Sequence, residues 1–442
     1  MISDKRRFRR ARIIASLRKT PPAPLAPPDV YPPKEVASML REIGIALIEV
    51  SQPTPNVEAR LQQIAAKYTT QPVQVVALPT ALMIQIGDGS DGTGYQIEGS
   101  TRSSLQLDAA GRIDDIASLA EAGAISPPDA VTAVADARSM PPRFGTLATI
   151  GGYAVTTVGF GMVINPTWDA LPGYAFLGLV VGAVVQMSRP YPSLTPILPT
   201  LAALVATVLA VKFVAAAAND GLLRVISPAL VATLPGMSLT IGAMELASSQ
   251  IVSGSSRLVY GLSQLGMLLF GVAIGVQIAG YTDTHTPSAV MGGWSLYLAI
   301  VVVSIGLYVY LSAPPGSLFW LMASVAVALL AQAVAGTVLS PSRSGFVGAF
   351  LSVPFALLAA RIRTSPPAIV MLLAAFWSLV PGALSFRALG EAAAGGGGPD
   401  ATSLAATGAA ILSIALGTLA GWSAFYTIDS RLPWSRAAAR RW

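Results

Sequence analysis

The chain has 442 residues, of which 53% are hydrophobic and only 11% charged, less than half the roughly 25% charge of a soluble domain. It holds no cysteine and one histidine, which excludes disulfides, thiol nucleophiles, Cys-ligated metals and multi-histidine sites. Residues 1–19 carry eight Lys/Arg against one acid, residues 20–142 seven against fourteen, and residues 143–442 thirteen against seven. The basic groups thus sit in a tail and beside apolar stretches, not on a nucleic-acid-binding face.

Residues 1–33 read as a basic arm and a Pro-rich linker. The apolar run Ile13–Leu17 is too short for a signal-peptide core, so no cleavage is expected. The arm is either a solvated tail or a segment drawn to anionic lipid, at about 1 kcal/mol per Lys/Arg. The linker TPPAPLAPPDVYPP is expected to be extended and unpacked. Residues 34–142 then read as a small α+β domain. Val36, Leu40, Ile43, Leu47 and Val50 form the stripe of an amphipathic helix. Thr54 is expected to cap the next helix with Pro55 at its first position, and Val57, Leu61, Ile64 and Tyr68 form its stripe. Strands are expected over 72–78, 81–87, 94–99 and 103–108, then helices over 112–122 and from Ser126, where Asp129 completes a capping box. The loop Asp88-Gly89-Ser90-Asp91-Gly92 reads as a strand turn, since it lacks the flanking helices and terminal Glu of a calcium loop. Without His or Cys, the domain cannot build a Ser-His-Asp or Cys-His site.

From residue 144 ten apolar stretches follow, near 144–164, 169–188, 194–216, 223–250, 257–280, 293–313, 316–335, 343–362, 366–390 and 403–426. Most approach the ~20 residues of a spanning helix. Arg138, Arg143, Arg189, Arg257, Arg361, Arg363 and Arg431 fall on one side of the membrane, and Lys212, Arg224, Arg343 and Arg387 on the other. The excess predicts both termini in the cytoplasm, with residues 427–442 a basic tail and His285 in a solvent loop. A shift of 146 residues lays Pro235-Gly236 on Pro381-Gly382, Glu245 on Glu391, and Gly271 and Gly275 on Gly417 and Gly421. Residues 143–280 and 281–426 would each hold five spans. An odd number turns the second repeat upside down relative to the first, the inverted arrangement of many secondary transporters.

Each Pro-Gly pair lies deep in the fourth span of its repeat. Proline removes a backbone donor and glycine lets the chain unwind, leaving either a packing kink or a half-helix whose free N–H groups suit a carboxylate. Glu245 and Glu391 are the acids within the spans. They would carry a proton or meet a substrate ammonium, or else reach an interface, and Arg387 stands four residues before Glu391 as an internal partner. The pairs Gly178/Gly182, Gly271/Gly275 and Gly417/Gly421 predict close helix packing. Neither a nucleotide-binding loop nor a metal motif occurs, so no catalytic residue, metal or cofactor is expected.

The segments LREIGIALIEVSQPTPNVEARLQQIA, LPTALMIQI, LPGMSLTIGAMELASSQIVSGSSRL and LAARIRTSPPAIVMLLAAFWSLVPGALSFRAL resemble the threonine/serine exporter family in its fused form, over residues 34–426. The resemblance implies a multi-pass protein of the plasma (inner) membrane that exports threonine or serine on the proton motive force, with protons and lipid as partners and a homo-oligomer left open. On that reading the backbone after Pro235-Gly236 and Pro381-Gly382 would hold the substrate carboxylate. Ser238, Thr240 or Ser385 would meet its hydroxyl, and Glu245 or Glu391 would carry the proton. The alternative is a membrane-anchored sensor or hydrolase that uses the domain at 34–142.

Overall fold

A computed structural model describes residues 22–87, 96–99, 106–214, 221–280, 289–379, 386 and 401–431. The Asp88–Gly92 loop, His285, Pro381, Gly382, Ser385, Arg387 and Glu391 lie outside the described residues. The chain is mostly helical and divides into two compact units. The first holds the described residues up to Pro141 with Pro314–Trp320 and Phe355–Met371. The second holds Pro142–Ala313, Leu321–Pro354 and the described residues from Leu372 onward.

In the first unit, α1 (Pro33–Glu49) and α2 (Thr54–Tyr68) precede the strands β1 (Val73–Leu78), β2 (Ala81–Ile86) and β3 (Gln96–Gly99), followed by α3 (Leu107–Glu121) and α4 (Pro127–Arg138). The antiparallel sheet has the order β1-β2-β3, and the register Leu78↔Ala81 leaves Pro79 and Thr80 as a two-residue turn. The stripe Val36, Leu40, Ile43 and Leu47 is buried, with Val57, Leu61 and Ile64 of α2 and the inward residues Leu82, Ile84 and Ile86 of β2. Arg60 joins α2 to α3 through Asp114 and Glu121, each at 2.6 Å. Burial opposes the Arg60 charge, but the two carboxylates outweigh it and hold the guanidinium above its ordinary pKa.

Ser126 caps α4 as its spacing predicts, accepting the Asp129 N–H at 3.3 Å. Three expectations are corrected. The cap of α2 is Pro53, not Thr54. Its φ of −59° and ψ of 139° already make the extended-to-helical switch, so Thr54 lies inside the first turn. Leu107 and Asp108, expected to end a strand, instead open α3: the Asp108 carboxylate accepts the Ala109 N–H at 2.8 Å, and Leu107 is buried. The linker is not unpacked. Leu25 N–H donates to Gly123 O (2.9 Å) and Asp29 N–H to Tyr68 O (2.8 Å). The Asp29 carboxylate accepts from Thr69 Oγ1 and Thr70 N–H, both at 2.9 Å. An extended chain has its backbone groups free, so it can satisfy carbonyls left open where helices end.

The first unit also includes the connections around Pro314 and Pro367. A Cβ added at Gly111 of α3 would lie 3.2 Å from Val370 Cγ2 and 3.5 Å from Pro314 Cγ. Trp320 Nε1 donates to Thr364 O (3.1 Å) and ties the two connections together.

The membrane-type helices are α5 (Thr146–Ile164), α6 (Leu171–Ser188), α7 (Leu198–Leu209, continued by a π turn Ala210–Val214), α8 (Leu222–Leu230), α9 (Gly236–Ala247), α10 (Ile251–Ala279), α11 (Ser295–Tyr310), α12 (Leu318–Ala335), α13 (Pro341–Ala359), α14 (Ala368–Leu379) and α15 (Ala401–Arg431). Among the described residues six are long and apolar enough to cross a bilayer: α5, α6, α10, α12, α13 and the stretch Ala405–Ile428 of α15. The bent pair α8–α9 would make a seventh, and Leu198–Val214, α11 and α14 are shorter apolar helices.

Their packing repeats along the chain. On α10, a Cβ at Gly271 would strike Thr200 O and one at Gly275 would lie 3.2 Å from Leu204 O and 2.7 Å from Thr207 Cβ. On α15, a Cβ at Gly417 would strike Phe346 O and one at Gly421 would lie 2.7 Å from Phe350 O and 3.1 Å from Val353 Cβ. Every residue of the second set is the first set's residue shifted by 146. Helix α8 starts at Leu222 and α14 at Ala368, again 146 apart. Helices α5 and α11 cross antiparallel, Gly152 meeting Tyr310, Gly159 meeting Val303, and Gly306 meeting Thr156.

Candidate functional site

The fourth apolar stretch is broken where its Pro-Gly predicts. Helix α8 ends at Leu230, a single 3-10 turn covers Val231–Thr233, Leu234 is extended at ψ 132°, and α9 starts at Gly236. The two helices meet at 67°. The first helical bond of α9 is Leu239 N–H to Pro235 O at 3.0 Å. The amides of Gly236, Met237 and Ser238 therefore find no backbone acceptor among the described residues. Pro235 and Gly236 are buried, and Ser238 is partly exposed. The positive end of the α9 dipole thus stands inside the protein, where an anion would be held by N–H groups without a cation.

Glu245 lies on α9 and is fully buried. It does not reach solvent at a helix end. Instead Arg257 of α10 donates through Nε to both carboxylate oxygens, at 3.1 and 3.2 Å. Arg257, expected in a connection, lies two turns inside α10. The pairing follows from a tight turn at 248–250, where Gln250 N–H donates to Glu245 O (2.8 Å) and reverses the chain. Taking two charges out of water costs several kcal/mol per ion, and mutual neutralisation offsets this only when both partners stay in place. Glu245 stands nine residues beyond Gly236, about 14 Å at helical rise. One small amino acid cannot touch both the amides at the break and this carboxylate.

The buried hydroxyls fall into two groups. Thr156, Thr157, Thr207, Ser304, Ser352 and Thr418 donate to a carbonyl one turn back in their own helix, at 2.6–3.0 Å. That is how an apolar helix satisfies a hydroxyl locally. Thr240 on α9, Ser253 on α10 and Thr407 on α15 do not follow this pattern, and their buried Oγ atoms have no partner among the described residues. A buried polar group left unmade costs about 1–3 kcal/mol. Thr240 was legible as a candidate from its place after the break. Ser253 and Thr407 were not, because nothing in their neighbouring sequence differs from that of the satisfied hydroxyls.

Tyr153 of α5 was missed too. It donates to Ala229 O at 2.7 Å, so it satisfies the last turn of α8 just before the break. Its ring meets that of Tyr310 edge-on at 4.9 Å, and Tyr310 neighbours Trp377 at 6.3 Å. Three aromatic side chains from α5, α11 and α14 thus converge beside the broken span. Pro381, Gly382, Ser385, Arg387 and Glu391 lie outside the described residues, so the geometry of the site rests on α8, α9, α10 and the side chains packed on them.

A family model described as "Putative threonine/serine exporter" matches residues 38–279, which run from α1 through α10. No curated protein and no solved structure matches the chain.

Proposed function

The chain belongs to the threonine/serine exporter family, and on that premise we propose that it exports threonine or serine by alternating access, coupled to protons, from the cytoplasm across the plasma membrane. The observation that carries this reading is the break in the fourth stretch. It presents the backbone-unbonded amides of Gly236, Met237 and Ser238 and, one turn on, a buried hydroxyl at Thr240 with no partner among the described residues. A threonine zwitterion offers a carboxylate for the first and a hydroxyl for the second. Pro235 and Gly236 hold the break open, and Ser238 and Thr240 read the hydroxyl. Pro381, Gly382 and Ser385 would form the matching half.

The architecture proposed is ten spans in two inverted repeats, preceded by a small cytoplasmic α+β domain. Four supports stand behind it: the 146-residue shift between the starts of α8 and α14, the equivalent glycine contacts of α10 and α15, the antiparallel crossing of α5 and α11, and the excess of Arg on the side of the N-terminal unit. The contact of α3 with the connections at Pro314 and Pro367 supports this, since five spans per repeat would bring both connections to the side of the N-terminal unit. The basic arm and tail then face the anionic inner leaflet.

The ~14 Å between Gly236 and Glu245 separates their tasks. Glu245 carries the proton rather than the substrate ammonium, with Glu391 as its counterpart and Arg387 as the neighbour of Glu391. A charge moved through the membrane potential supplies about 2.3 kcal/mol per 100 mV. At about 1.4 kcal/mol per tenfold that supports a roughly forty-fold gradient. The test is counterflow: purified protein in liposomes preloaded with threonine should take up labelled threonine, and serine should compete. Protein that moves neither amino acid would refute the reading. Glu245→Gln or Glu391→Gln should abolish accumulation driven by a pH gradient while threonine exchange survives in part.

A further inference from the structure

Proton coupling at Glu245 leaves a question that the geometry answers, namely what the proton displaces. We infer that Arg257 is the coupling partner of Glu245, a cation that occupies the carboxylate in one transport state and leaves it when the carboxylate is protonated in the other. The inference rests on the export reading and adds to it a residue and a switching contact.

Both carboxylate oxygens are engaged by the same guanidinium nitrogen, and the carboxylate has no exposure to solvent. A proton and the Arg257 guanidinium therefore compete to neutralise the same carboxylate. The helices that the pair joins touch backbone to backbone. A Cβ at Gly242 would lie 2.9 Å from Gly254 O, and one at Gly254 would lie 2.7 Å from Gly242 O. Leu246 packs into the space over Gly254 and Leu258 into that over Gly242, so a shift of α9 along α10 moves these side chains from glycine to glycine, and the ion pair pins the register. Shear of this kind between packed helices is one of the standard routes of conformational change.

Among the described residues, few charged or titratable groups stand on the helices packed against α9. The helices packed most closely on α9 are α10 and α15. Arg257 is the single charged residue of α10, and its tyrosine, Tyr260, accepts from Gln264 Nε2 at 2.7 Å. The charged residues of α15, Asp429 and Arg431, stand in its last turn, and Tyr426 is exposed. Arg224 of α8 lies on the far side of the break. One turn before Arg257, on the same face of α10, Ser253 carries a buried hydroxyl oxygen with no partner among the described residues. That oxygen is an acceptor for the guanidinium once it has left the carboxylate.

A proton arriving from the outer water forms an O–H bond on one carboxylate oxygen, Arg257 keeps its charge, and the net charge of the pair rises by one. On the inner side that O–H bond breaks, the proton passes to water and Arg257 returns. No electrons are transferred. The zwitterionic substrate travels with the pair closed, and the proton travels with it open.

The experiment uses the full chain in liposomes and reads two quantities, threonine exchange over a range of symmetrical pH and threonine accumulation under a pH gradient. Arg257→Gln should keep a measurable part of exchange, shift its pH profile, and lose accumulation by about tenfold or more. Arg257→Lys, which retains the charge, should restore most of the accumulation. The double variant Glu245→Gln with Arg257→Gln keeps hydrogen-bonding amides without either charge and should exchange threonine independently of pH. That makes it the arm to read if Arg257→Gln alone does not fold. The inference is overturned if Arg257→Gln accumulates threonine like wild type, if exchange and accumulation fall in proportion with no rescue by Lys, or if the double variant keeps the wild-type pH profile. A wild-type protein without exchange would remove the export reading and this inference with it.

Discussion

Gly271 of α10 and Gly417 of α15 press against the backbone of a neighbouring helix and leave no room for a methyl group. Gly271→Ala places a methyl against Thr200 O, with Ala203 Cβ at 3.0 Å and Thr200 C at 3.1 Å; Gly417→Ala places one against Phe346 O, with Phe346 C and Cα at 3.0 Å. Carbon atoms pack best at about 3.5–4.0 Å. The obstacle is backbone, which no rotamer change relieves, so α10 must move off α7, or α15 off α13, by roughly half an ångström or more. Overpacking of this kind costs about 1–3 kcal/mol, and an obstacle made of backbone places it near the top of that range. The gain in helix propensity from Gly to Ala returns about 1 kcal/mol, so a net loss of about 2 kcal/mol is expected at each site. The same helices supply their own controls. A Cβ at Gly266 of α10 or Gly408 of α15 meets nothing within 4 Å, so Gly266→Ala and Gly408→Ala should be neutral or stabilise by up to about 1 kcal/mol. The assay is thermal unfolding in detergent, followed by threonine counterflow on the variants that survive. Equal losses at 271 and 417 with no loss at 266 and 408 are expected. If Gly271→Ala is as stable as its control, or if 271 and 417 respond oppositely, the glycine contacts of α10 with α7 and of α15 with α13 are not what holds these helices together.

Thr240→Val removes an unpartnered hydroxyl at constant shape, so thermal stability should hold or rise while the apparent affinity for threonine drops by about tenfold; unchanged affinity would take Thr240 out of the site. Asp29 ties the linker to α2, and its hydrogen bonds from Thr70 and Thr69 hold its carboxyl below the ordinary value. A lowered pKa contributes stability above the unfolded value near 3.9, lost as pH falls through the folded one, and Asp29→Asn should erase that acid dependence. At neutral pH, hydrogen exchange at the Thr70 amide should be faster in Asp29→Ala than in wild type. Arg60→Ala leaves Asp114 and Glu121 facing each other. It should cost about 2 kcal/mol in thermal unfolding, less than the ~3–5 of a fully buried pair because these side chains keep some exposure; a cost near zero would make the network ornamental.

What could be read without coordinates was whatever depends on neighbours along the chain. Apolar stretches announce membrane helices because every backbone polar group must be satisfied within its own segment there. The stripe of Val36, Leu40, Ile43 and Leu47 announced α1. Pro235-Gly236 announced a break, since proline removes a helical bond wherever the helix sits. The shift of 146 residues was already visible in Pro, Gly and Glu before any contact was known. What only the tertiary structure decided depends on residues brought together from different helices or across a turn. Glu245 and Arg257 are twelve apart, a spacing that aligns nothing on one helix, and they meet because the chain reverses at 248–250. The linker docks because Gly123 and Tyr68 end helices beside it, a fact about where those helices stop in space. The unsatisfied hydroxyls of Ser253 and Thr407 look like any other in sequence, because satisfaction by a carbonyl one turn back is settled by rotamer and packing. Local chemistry therefore set the apolar helices and the break, while the partner of Glu245 was set by folding, since a charge in a dry interior is held by whichever opposite charge the packing delivers to it.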